Sequence, residues 1–188
     1  MGDIRAHRPV MVIVAAFSRY DAALDWARQT CSDAWGPVTR ESPRFTFDET
    51  TFYERAMGAG LKKTFFVFAH LADPGELPDW KHQTNQWEQQ FAATHDFPEQ
   101  RPLNLDPGYV TEAKLVLAST KDRDHRIYLR RGIFAENTLF FHGGHWKTRP
   151  WTYPDYRRVD YHEFLTACRV DLRQRYAEER RRKRGVRG

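Results

Sequence analysis

The chain has 188 residues, of which 40% are hydrophobic, 14% aromatic and 29% charged, with a formal net charge of +5. That length suits one domain, and 13 Phe, 8 Tyr and 6 Trp supply enough core-forming area to exclude a disordered chain. The longest apolar run, Val10 to Phe17, is far short of the roughly 20 residues a membrane span needs, and no cleavage pattern of a signal peptide follows it, so a cytoplasmic protein with no membrane partner is expected.

The charge is unevenly placed. Residues 180–188, RRRKRGVRG, hold six Lys or Arg and no acid, which leaves 24 basic against 25 acidic residues in the body. The expected organisation is one α+β domain over 1–179 and a disordered basic tail over 180–188. A tail of this kind supports only weak, salt-sensitive, non-specific nucleic-acid contact; a nucleic-acid-binding domain carries its basic footprint on the folded surface. Cys31 and Cys168 fall on apolar helix faces and read as buried thiols.

In chain order, PVMVIVAAF from Pro9 reads as a buried strand. Ser18 with Asp21 resembles a capping box, and Tyr20, Ala23, Leu24, Ala27 and Cys31 then share one helical face. RFTF suggests a short strand and LKKTFFVFAH, from Leu61 to His70, a strong one. Asp73-Pro74-Gly75-Glu76 is a helix start, with an Asp cap and Pro in the first turn. Leu77, Trp80, Thr84, Trp87 and Phe91 follow one face of that helix. This order resembles the ferredoxin-like split βαβ pattern. LNLD suggests a brief strand ending at a Pro107-Gly108 turn. EAKLVLAS reads as a helix capped by Thr111, with a strand as the alternative. IYL and FAENTLFFH alternate as strands of a hairpin, HWKT follows as a last strand, and Tyr161, Phe164, Leu165, Cys168, Leu172 and Tyr176 make an amphipathic helix. The fold class is therefore a single α+β domain with a largely antiparallel sheet, a ferredoxin-like N-terminal half, and a C-terminal β-meander and helix.

PRFTFDETTFYERAMG, LKKTFFVFAHL, TNQWE, NLDPGYVTEAKLVLASTKDRDHRIYLRRGIFAENTL and WTYPDYR together resemble the bacterial family called domain of unknown function 4416, over about residues 9–176. The resemblance implies no catalytic residues. Some members carry a GTP-binding label, but this chain has no G-x-x-x-x-G-K-[ST] loop. Thr120-Lys121-Asp122-Arg123 also lacks the acid that reads guanine in [NT]-K-x-D. A standard GTPase is excluded; nucleotide binding by another route is not.

Residues 104–139 concentrate polar groups among apolar ones. One reading is a pocket for a small anionic, phosphate-bearing metabolite or nucleotide. Arg126, Lys114, Lys121 and Asn104 would bind the ligand, and His125 would move a proton. Asp106 and Glu136 would hold a hard cation such as Mg²⁺. The other reading is structural: Arg126 pairs with Glu136 across a hairpin, Asp106 caps a helix, and the lysines are solvated. His142-Gly143-Gly144-His145 reads as a surface hairpin, and His82 as a helical residue rather than half of a paired H-x-[ST] site. The rings of WTYPDYR suit either base stacking or packing. A non-catalytic protein- or RNA-interaction module is the competing function; the sequence fixes neither reaction nor oligomeric state.

Overall fold

A computed structural model describes residues 2–4 and 6–185, the side chains of 183–185 excepted. Strand β1 (Val10–Ser18) is buried at every position. A run of β-branched and small apolar residues with no polar face can only sit inside a sheet covered on both sides, and β1 does so, between two antiparallel partners. These are β4 (Lys62–Ala72) and β5 (Asn104–Val110). Strand β2 (Val38–Glu41) lies outside β4, and the two-residue β3 (Phe45–Thr46) pairs with the start of β4. The order β2-β4-β1-β5, with helices α1 (Asp21–Trp35) and α3 (Leu77–Thr94) between strands, is the expected ferredoxin-like split βαβ arrangement. A single turn, α2 (Glu54–Met57), precedes β4.

The sheet then continues through β6 (Lys114–Ser119) to β8 (Ile133–His142). β7 (Arg126–Arg130) and β9 (His145–Thr148) both pair with β8, β7 near its start and β9 near its end. All pairings among these nine strands are antiparallel. EAKLVLAS is thus the strand alternative, not a helix. Its alternation settles the matter: Leu115 and Leu117 face one core and Val116 and Ala118 the other. Pro107-Gly108 is not a turn either; it lies inside β5. Ser18 does not cap α1, whose N-cap is Tyr20; its hydroxyl instead donates to the Pro102 carbonyl at 2.6 Å.

Strand alternation divides the core in two. Val12, Val14 and Ala16 of β1, with Phe66 and Phe68 of β4, pack under α1 and α3. Met11, Ile13 and Ala15, with Phe65 and Val67, pack under α4 (Val159–Gly185). Tyr161, Phe164, Leu165, Cys168, Leu172 and Tyr176 supply the buried stripe of α4 as its spacing predicts. Each fully buried large apolar side chain is worth about 1.5–3 kcal/mol. Of the basic end expected as a tail over 180–188, residues 180–185 continue α4 to Gly185, and 186–188 lie outside the described residues.

Candidate functional site

The sheet is not continuous. β5 pairs with β1 from Asn104 to Val110, yet it pairs with β6 only at Gly108, Tyr109 and Val110. Two adjacent residues explain the split. Pro107 has no N–H to offer where the next bond to β6 would form. Gly108 lets the strands touch on the other side of that point; a Cβ there would lie 2.3 Å from the Val116 carbonyl oxygen. Beyond Pro107 the bare edge of β5 is served by side chains of α3. The Leu105 N–H donates to Glu88 at 2.7 Å, and the Leu105 carbonyl accepts from Lys81 Nζ at 3.0 Å. These two residues replace a missing strand.

Lys81 also crosses the split. α3 packs on one face of the sheet, whereas Asp106 shares the opposite face with its cross-strand partner Ala15. Lys81 Nζ nevertheless lies 3.0 Å from Asp106 Oδ1. Asn104 donates to the other Asp106 oxygen at 2.8 Å. Arg101 binds Asn104 Oδ1, and it also binds Glu88 at 2.8 Å. Burial works against a charged Asp106, but Lys81, then Lys63 and Arg101, outweigh it and hold its carboxyl below the usual value. Burial has the upper hand at Glu88 and raises it, despite Lys81 and Arg101.

Two further ion pairs occupy the same face of the sheet. Lys63 of β4 meets Asp155, from the 3-10 turn Pro154–Arg157, at 2.6 Å, each side chain 4% exposed. Its ammonium sits among the rings of Phe17, Phe47, Phe65, Tyr156 and Tyr161, 4.3–6.0 Å from their centres, a placement that favours a cation. Arg126 of β7 meets Glu136 of β8 at 2.8 Å, the side chains 4% and 2% exposed. Arg126 also donates to the Lys121 carbonyl at 2.9 Å and the Tyr153 hydroxyl at 2.8 Å. Tyr53, Tyr153 and Tyr156 all feel the negative charge of Asp106; burial, the larger influence, raises all three hydroxyls above their ordinary value.

The mouth of this cluster is aromatic and basic. Phe52 is 70% exposed, with Lys121 Nζ 5.1 Å from its ring centre. The His125 ring stacks on Trp151 at 5.1 Å and 13°, while its Nε2 reaches Glu136 at 3.2 Å. Asp106 keeps 29% side-chain exposure, so solvent reaches the cluster there.

The structure therefore gathers Asn104, Asp106, His125, Arg126 and Glu136, with Lys121 at the rim. Lys114 stands apart. It is exposed at the start of β6, the opposite end of that strand from Ser119 and Lys121. There it borders a cleft of ≈ 350 Å³ with Arg8, Tyr109 and Tyr176. Asp106 caps no helix, since none follows β5 directly. Asp106 and Glu136 have their oxygens matched to Lys81 and Asn104, and to Arg126, His125 and Thr138. That environment fits the chain's own cations rather than a divalent metal, and among the described residues no group of three or more His, Cys, Asp or Glu is placed to hold one. His142 and His145 face each other across an exposed hairpin. Both thiols are buried and free; burial raises Cys31 and pushes Cys168 up to about 12, which leaves neither as a nucleophile.

Sequence reasoning missed Lys63, Lys81, Glu88, Arg101 and Asp155, and singled out Tyr156 only as one of the rings of WTYPDYR. For two of them the signal was present. Lys63 shares strand parity with Phe65 and Val67, and Lys81 falls with Leu77, Thr84, Glu88 and Phe91 on one helical face. A charged residue at such a position is turned inward.

Against known proteins, a family model described as domain of unknown function 4416 matches residues 8–172. The chain belongs to that family. No curated protein and no solved structure matches it.

Proposed function

We propose that this member of the domain of unknown function 4416 family is a cytoplasmic protein that binds a small anionic, phosphate-bearing metabolite or nucleotide at the Asp106 cluster. The anion lies at the mouth, where Lys121, His125 and Arg126 meet, and a planar ring stacks on Phe52 or Trp151. One observation carries this reading: three buried or half-buried ion pairs, Lys63–Asp155, Lys81–Asp106 and Arg126–Glu136, converge on one end of one sheet face. Buried pairs are weak contributors to stability, and apolar residues of the same size commonly do as well. Such groups accumulate where a site requires them. His125, with its ring between Glu136 and Trp151, is the candidate proton carrier if the ligand is turned over.

The test is thermal unfolding with nucleotides and phosphorylated metabolites. A ligand at about 100 times its Kd stabilises by about 2.7 kcal/mol. One ligand class is expected to raise Tm, and Lys121→Ala, at an exposed rim position, is expected to weaken that response while leaving the fold intact.

The competing interaction module has one observation in its favour. Strand β7 is an open sheet edge, and Ile127, Tyr128 and Leu129 on it are 71%, 58% and 38% exposed. A flat response across the whole ligand panel would move the conclusion to that edge.

A further inference from the structure

Tyr156 is 2% exposed, and its hydroxyl has no hydrogen-bond partner among the described residues. The group does not belong to an aliphatic region. Asp155, Asp106 and Glu136 all act on it electrostatically, and Lys63 Nζ lies 4.3 Å from its ring centre. A buried hydroxyl left unpaired costs stability. Phenylalanine at this position would keep the ring contacts with Phe65 and Tyr161 and avoid that cost. The hydroxyl therefore has no structural purpose that its ring does not already serve.

The surroundings say what would pair with it. Lys63, Lys81 and Arg126 face Asp155, Asp106 and Glu136 one to one. A charge-balanced interior has no net field to hold a phosphate, and a desolvated dianion placed there would be unfavourable. It does offer both donors and acceptors. Among the described residues Lys63 Nζ makes a single hydrogen bond, to Asp155, and Tyr156 can give or receive one. An uncharged group that both donates and accepts matches these partners, and an alcohol is the simplest. We infer that the ligand is a hydroxyl-bearing phosphate ester, whose alcohol end pairs with the Tyr156 hydroxyl beside Lys63 and Asp155 while its phosphate stays at the Lys121–His125 mouth. The inference rests on the site reading proposed above and adds the chemical class: a sugar phosphate, free or as the ribose phosphate of a nucleotide. Specificity would come from the interior and charge attraction from the rim.

Thermal unfolding of the full chain with ribose 5-phosphate, AMP, GMP and inorganic phosphate tests this. Tyr156→Phe removes only the hydroxyl. Tyr161→Phe is the control, because it removes another unpartnered buried hydroxyl whose chief charged neighbours are Asp155, Arg158 and Glu49. The expected result is a larger Tm shift with a hydroxyl-bearing ester than with inorganic phosphate. Tyr156→Phe, no less stable without ligand, should then need about tenfold more ester for the same shift, the loss of one hydrogen bond of about 1.4 kcal/mol, and Tyr161→Phe should respond like the wild type. Equal shifts with phosphate and ester, or an unchanged ester response in Tyr156→Phe, would overturn the inference while leaving the anion-binding mouth standing. No shift with any compound would overturn both. If Tyr156→Phe folds poorly, the wild-type comparison of ester with phosphate still decides the matter.

Discussion

Lys63 and Asp155 show how a single residue is read differently alone and in its setting. Each is 4% exposed, and each is the other's charged partner. Lys63→Ala should cost about 3–5 kcal/mol, since it strands a buried carboxylate. Replacing both, as Lys63→Met with Asp155→Leu, should recover most of that loss, because a buried pair exchanged for apolar residues of similar size is often near neutral. Urea unfolding of the two variants measures this; a double variant as unstable as the single one would mean that the pair itself holds the loop to the sheet. Arg126 with Glu136 was readable from the sequence, because hairpin pairing brings them opposite each other. Lys63–Asp155 was not, because 92 positions separate the partners and only the tertiary fold joins them.

At the scale of elements, the decisive feature is the place where β5 leaves β6. Strand and helix propensities are close for EAKLVLAS, so the local sequence leaves both open, and the neighbours β5 and β8 impose the strand. NLDPGYV carries the clearer message once Pro107 is seen as an interruption of a ladder rather than as a turn. Gly108→Ala should be strongly destabilising: its Cβ would meet backbone, the Val116 carbonyl oxygen, at 2.3 Å, and overpacking of this kind costs about 1–3 kcal/mol or more. Hydrogen exchange should show the loss first in the amides of Tyr109 and Val116, which face each other in the ladder. Protection there as in the wild type would mean that the ladder takes in the added Cβ without opening. The helix stripe of α3 was legible in Leu77, Trp80 and Phe91, but the roles of Lys81 and Glu88 were hidden, since substituting for a missing strand has no sequence pattern.

For the molecule as a whole, the two carboxyls that border the split pull stability in opposite directions as pH changes. Asp106 is held below its ordinary value of 3.8, with burial opposing and Lys81 and Lys63 prevailing. Between its folded value and 3.8 the unfolded chain binds more protons than the fold does, so stability from Asp106 is present above that window and falls as pH drops through it. Glu88 is raised above 4.5, chiefly by burial. There the fold binds the extra proton, so stability from Glu88 declines as pH rises from 4.5 towards its folded value. A shallow maximum is expected between these two windows. Exposed carboxyls such as Asp21, also lowered by Lys62 and Arg44, add to the acid limb at low salt. At about 1 M salt, where the Debye length is roughly 3 Å, their share should fade, while the half-buried Lys81–Asp106 contact should keep more of its own. Urea midpoints measured from pH 3 to 7 (an assay range of roughly four units, chosen to bracket both ordinary carboxyl values) should therefore keep an acid limb at high salt in the wild type and show a smaller one in Asp106→Asn. Equal limbs in the two proteins at high salt would assign acid sensitivity to the surface and leave the split without influence on the pH response.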